Sequence, residues 1–234
     1  MKITYDTIFK MITLSCYGKG GRMHLFEIRS VEYLNIIKYP DISIQKGKTT
    51  FICGKSGTGK STLLKLLNGS KSAEKGQVKY IDKLIDDYDP IEHRKQVILV
   101  NQSTYLFDMS IRDNFYEFYS YRDMAKPDED TIKQYLKLCL ADFNLDMDCQ
   151  NMSGGERQRI YLAICLSFMP EVIMLDEPTS ALDEANAGIL IRNVKNFCIE
   201  KDISLIIVSH STELAKLYSD DCINLSGGEE QWME

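Results

Sequence analysis

The chain has 234 residues, 44% of them hydrophobic, and carries 28 Lys+Arg against 34 Asp+Glu for a net charge of −6. That length accommodates one large domain with an ample core, and an acidic balance without a long basic block argues against a nucleic-acid partner. No apolar run approaches the ~18 residues needed to cross a bilayer. The seven cysteines, at 16, 53, 139, 149, 165, 198 and 222, include no C-x-x-C pair, so they read as reduced thiols rather than a disulfide framework or a zinc site.

In chain order, residues 1–22 read as an over-called or disordered extension. Thr7–Leu14 is too short and interrupted for a signal peptide. Met23 follows Lys19-Gly20-Gly21-Arg22, residues that a purine-rich ribosome-binding run can encode, and is expected to be the natural start. Leu25–Ile28, Asp41–Ile44 and Thr49–Cys53 are predicted short strands, with a hairpin-type turn at Lys46-Gly47, and an N-terminal antiparallel β subdomain is expected. Gly54-Lys55-Ser56-Gly57-Thr58-Gly59-Lys60-Ser61 then fits G-x-x-x-x-G-K-[ST] at every fixed position, between an apolar strand and a helix running from Ser61 to Leu67. The chemistry needs these residue types. Glycines let backbone N–H groups turn inward into an anion nest, and the helix N-terminus adds partial positive charge. Lys60 supplies a point charge for β- and γ-phosphates, and Ser61 a hydroxyl for Mg²⁺.

Val78–Tyr80 and Val97–Asn101 are predicted strands. From residue 103 to about 150 the chain turns polar, aromatic-spotted and helix-rich, with Asp128–Leu140 as its clearest helix. This reads as an inserted helical subdomain, taken to span about 103–165. A helix over Gly155–Phe168, a strand Val172–Leu175, a helix over 184–200 and a strand Leu205–Val208 complete an alternation that implies a parallel sheet covered on both faces. The strand Val172–Leu175 runs into Asp176-Glu177, where such a sheet opens its ligand crevice. There Asp176 would hold Mg²⁺, and Glu177 would polarise the water that attacks a γ-phosphate.

Ser-Gly-Gly-Glu occurs twice. At Ser153-Gly154-Gly155-Glu156 it opens a helix with Arg157 and Arg159 in its first turns. Ser153 is the N-cap candidate, the glycines allow a phosphate close to the backbone, and the arginines offset the charge of Glu156. At Ser226-Gly227-Gly228-Glu229 acids follow and no helix can grow, so that copy reads as a turn between short strands.

The order of phosphate loop, Gln102, Ser153–Glu156, Asp176-Glu177, Ser180-Ala181-Leu182-Asp183 and His210 resembles the ATP-binding subunit of ABC transporters from about residue 24 onward. The resemblance implies an α/β P-loop NTPase fold, a parallel sheet flanked by helices, in a single ABC ATPase domain over 23–234. It implies ATP and Mg²⁺ as ligands, with ATP held by Gly54, Lys55, Ser56, Gly57, Thr58, Gly59, Lys60, Ser61 and Thr62. Tyr33 would stack on adenine, with Tyr39 as the alternative. Catalysis would fall to Glu177, His210, Lys60 and Gln102, and the metal to Ser61, Gln102 and Asp176. Ser153, Gly154, Gly155 and Glu156 would serve the opposite subunit of an ATP-bound homodimer, and Ser180 and Asp183 would form the loop that communicates across it. A separate multi-span permease subunit, contacted through aromatics such as Tyr105 and Phe107, places the protein in the cytoplasm, peripheral on the inner face of the membrane. Phe168-Met169-Pro170 and Ser180–Glu184 resemble small bacterial subunits of the FetA type, linked to iron export. The rival reading is a soluble ABC-type ATPase in an assembly or scaffold role. Met152 and Glu156 depart from the family's usual Leu and Gln.

Overall fold

The structure, a computed structural model, describes residues 23–226. The expected N-terminal extension and the Gly227-Gly228 turn lie outside the described residues. Two sheets organise the chain. The first is antiparallel, built from β1 (His24–Tyr33), β2 (Ile37–Lys38), β3 (Ile42–Gln45), β5 (Lys75–Tyr80) and β6 (Lys83–Leu84), with β1 pairing β2, β3 and β5. The second is parallel, in the order β10 (Asp221–Asn224), β4 (Thr49–Cys53), β9 (Ser204–Val208), β8 (Val172–Asp176), β7 (Val97–Val100). The Lys46-Gly47 turn therefore closes no hairpin. Ile44 pairs with Phe26 of β1, whereas β4 pairs with β9 and β10, so the turn passes the chain between sheets.

The parallel strands are apolar because both of their faces are buried. Val172 and Met174 of β8 enter one core with β1, β3 and helix α1 (Lys60–Leu67), while Ile173 and Leu175 enter the other. That second core is roofed by α3 (Ile111–Ser120), α4 (Glu129–Leu138), α5 (Gly154–Ser167) and α6 (Glu184–Glu200); α2 (Pro90–Gln96) and α7 (Thr212–Tyr218) complete the α-helices of the described residues. Polar side chains set the helix starts. Asp89 caps α2, Ser110 caps α3, Asp128 caps α4 and Asp183 caps α6, each accepting a backbone N–H of the first turn. Among the described residues no helix is long and apolar enough to cross a membrane.

Candidate functional site

The phosphate loop leaves β4 and enters α1 at the end of the parallel sheet where strands β8 and β9 also finish. Gly59, the residue before the helix, has φ 90°, and a Cβ there would lie 2.7 Å from the Tyr39 hydroxyl. That hydroxyl donates to the Gly59 carbonyl at 2.9 Å, so Tyr39 is the floor of the loop. Lys60 is buried, and its Nζ donates to the carbonyls of Gly54 and Lys55 at 2.8 and 3.0 Å. Ser61 Oγ donates to Asp176 Oδ1 at 3.1 Å. A hydroxyl and a buried carboxylate at one mouth are hard oxygen donors of the kind Mg²⁺ takes.

A cavity of about 520 Å³ opens here, lined by Ser56, Gly57, Gly59, Lys60, Ser61, Thr62, Gln102, Glu177, Ser180 and His210 with Ile37 and Val208. Nine of the residues expected to hold the nucleotide, its metal or the reacting water, Gln102 among them, thus line one cavity with Ser180. Glu177 sits just past β8 with φ 52°, a left-handed backbone unusual for its type. Its N–H donates to the Val208 carbonyl at 3.1 Å, fixing the turn against β9. Nε2 of His210 stands 3.2 Å from Glu177 Oε1, yet the two are not aligned for a hydrogen bond, and Oε1 is buried without a hydrogen-bond partner. Burial raises the carboxyl's pKa, against the opposing charges of His210 and Lys60. An acceptor held this way is suited to taking a proton from water.

Tyr33 is not among the residues lining this cavity. Its ring lies 4.6 Å beneath Lys71 Nζ, which also donates to its hydroxyl. Ile37, four residues on, reaches the cavity instead.

The Ser153–Glu156 segment is absent from that lining. It forms a full capping box on α5. The Ser153 amide and hydroxyl donate to Glu156 Oε2 at 2.8 and 2.7 Å, and the Glu156 amide donates back to Ser153 Oγ at 3.3 Å. These hydrogen bonds hold the Glu156 carboxyl below its ordinary range, with Arg159 a smaller contributor. The two arginines mainly tie down neighbouring loops. Arg157 donates to the carbonyls of Cys149 and Leu106 at 2.5 and 2.7 Å, and Arg159 to that of Leu140 at 3.1 Å. A Cβ at Gly154 would meet nothing within 4 Å, whereas one at Gly155 would lie 2.6 Å from Ala181 Cβ. The helix tip is open on one side and pressed against the Ser180–Asp183 loop on the other.

Residues 37–180, more than half of the chain, match the family described as ABC transporter. The chain belongs to this family. A relative in Escherichia coli, the probable iron export ATP-binding protein FetA, is 32% identical over 194 residues, covering 81% of this chain and 86% of its own. The uncharacterized ABC transporter ATP-binding protein YvrA of Bacillus subtilis is 31% identical over 201 residues, 82% of this chain but 45% of that longer protein. CbiO1 from Clostridium perfringens, part of the ABC transporter complex cbiONQ, shares the fold at TM-score 0.72 and 23% identity over 86% of this chain and 84% of its own. The family fixes the activity class, an ATP-binding ATPase coupled to transport.

Three contributors escape sequence reasoning. Tyr39 is one, expected only as the alternative to Tyr33 against adenine but buried beneath the loop and absent from the cavity lining. Buried Gln158 is another: its Nε2 lies 3.4 Å from the Asn101 carbonyl and 3.5 Å from that of Asp176, bridging the ends of β7 and β8. The third is Ser226, from the copy read as a bare turn, whose Oγ accepts the Lys55 amide of the phosphate loop at 2.9 Å. Only Gln158 had a signal, a polar residue at a core-facing position of α5.

Proposed function

We propose that the chain binds ATP with Mg²⁺ in the cavity at the end of β4 and hydrolyses it between two copies arranged head to tail, driving a separate membrane permease. The orphaned Glu177 Oε1 beside His210 is the observation that carries this reading. Loop amides and Lys60 would cradle the β- and γ-phosphates. Ser61, Asp176 and Gln102 would hold the metal, which when bound neutralises charge developing on the phosphates. Glu177 would take a proton from the attacking water, and His210 would orient it and the γ-phosphate. Ser153 and the open Gly154 of the second copy would close the phosphate's far side, helped by the α5 N-terminus. Ser180 and Asp183 would sit at the seam. For the adenine, Tyr33 is retained at the end of β1, four residues before Ile37, which lines the cavity.

Tyr105, Phe107, Phe118 and Tyr121 form a contiguous aromatic surface, with Tyr105 67% and Tyr121 63% exposed. We assign it to an amphipathic helix of the permease on the inner face of the membrane. Iron or another metal ion as exported cargo remains the finer reading supported by the likeness to FetA. The deciding experiment is Glu177→Gln. ATP is expected to drive this variant into a stable dimer while turnover falls about 100-fold or more. Turnover at the native rate would overturn the assignment of the base.

A further inference from the structure

A second cavity, of about 290 Å³, lies beside the phosphate loop and is lined by Cys53, Gly54 and Lys55, by His210, and by Cys222 and Ser226 of the chain's last described stretch. Two of its walls are thiols. Cys53 ends β4, directly before Gly54, and Cys222 lies on neighbouring β10, two residues before Asn224, the register partner of Cys53. Their sulfurs are 3.6 Å apart, a hydrogen-bonded pair. Cys222 is exposed and Cys53 half-buried, whereas Cys139, Cys149, Cys165 and Cys198 are buried.

We propose that Cys53 and Cys222 form a dithiol site, opening on this cavity, that takes a low-molecular-weight disulfide by exchange and, once oxidised, lowers the affinity of the phosphate loop for ATP. The ATP site is that of the family; nothing in this inference depends on the dimer or the permease. Cys222 is the attacking group because it is the exposed one. The hydrogen bond the two thiols share holds the Cys222 thiol down to about 7 and, with burial, pushes Cys53 up, so Cys222 supplies the attacking thiolate and Cys53 the resolving thiol. The Cys222 thiolate attacks the disulfide RSSR, forming a Cys222–SR bond and expelling RS⁻. Cys53 then loses its proton and attacks Cys222 Sγ, expelling the second RS⁻. Both protein thiols are oxidised, and RSSR is reduced to two RSH once the thiolates take up protons.

The consequence for ATP is geometric. A disulfide brings the sulfurs from 3.6 Å to about 2.05 Å, a closure of roughly 1.5 Å. The strain falls on the Cys53–Gly54 step, whose Gly54 carbonyl holds Lys60 Nζ, and on β10, two residues beyond which Ser226 holds the Lys55 amide. A misplacement of about 1 Å in a reactive constellation costs on the order of a hundredfold in rate, and charge-assisted hydrogen bonds to phosphate depend on the same positioning of the loop. In a reducing compartment such a bond is transient and acts as a sensor.

The test treats the full chain with oxidised glutathione. We expect a Cys53–Cys222 linked peptide by mass spectrometry, a fall in ATP affinity of about tenfold or more, and recovery with dithiothreitol. Cys222→Ser, and independently Cys53→Ser, should keep native affinity under oxidant. The proposal is overturned if no linked peptide forms, if it forms with ATP affinity unchanged, or if either serine variant loses affinity under oxidant as the native chain does. Reversal by reductant in the native chain keeps the test decisive even if a variant folds poorly.

Discussion

Glu177 combines a left-handed backbone, burial and an oxygen with no hydrogen-bond partner, and each of these opposes folding. Its carboxyl holds a proton more tightly in the folded chain than in the unfolded one. The stability tied to that proton is fully present below the ordinary glutamate value and is lost as pH rises through the raised folded one. Glu177→Gln should therefore melt higher than the native chain near pH 7, with the gap closing as pH falls through the raised folded value and gone below about 4.3; thermal unfolding across that range reads the difference, and a gap that widens at low pH would contradict it. Gly59 makes a second prediction. Alanine there meets the Tyr39 hydroxyl in a backbone with φ 90°, so Gly59→Ala should lose about 1–3 kcal/mol in denaturant unfolding. Tyr39→Phe should recover part of that loss, since it removes the clashing oxygen. Gly59 was legible in the sequence because a motif fixes its spacing to Lys60. Tyr39 was not, since nothing local to position 39 announces a contact 20 residues away.

Elements were legible to the degree that their signals are local. The apolar run of β8, the helix over 184–200 and the Ser153 start of α5 follow from alternation, periodicity and capping, and the structure agrees within a residue or two. The assignment of Lys46-Gly47 to a hairpin failed because strand partners are chosen by long-range pairing, not by the turn. The α5 tip supports a further prediction. Ser153→Ala removes the cap and should destabilise the fold by about 1 kcal/mol. In a cycle with Glu156→Ala the two losses should be less than additive, because each residue caps through the other. Full additivity in urea unfolding would mean that the box contributes nothing as a unit. Gly155→Ala should shift the Ser180–Asp183 loop, with Ala181→Gly relieving the collision.

At the scale of the whole molecule, β8 and β9 are the common wall of the two cores, and the site sits at the wall's end. The aromatic surface lies on the helical side. Tyr105→Asp together with Tyr121→Asp should leave stability within about 0.5 kcal/mol, both residues being exposed, and leave basal ATP turnover intact, while abolishing co-sedimentation with membranes that contain the permease. Retained co-sedimentation would move the docking surface elsewhere. One feature of the α5 tip matters only when two copies meet. The Ser153 hydroxyl carries a single proton, and Glu156 already has it. In the proposed head-to-tail pair an arriving terminal phosphate would have to compete with this carboxylate for that proton and would meet the carboxylate's own negative charge on the way. If two copies close in that way, a glutamate at this position would make clasping the triphosphate harder and letting go of it easier than a neutral amide would, a bias toward rapid release written into one oxygen atom.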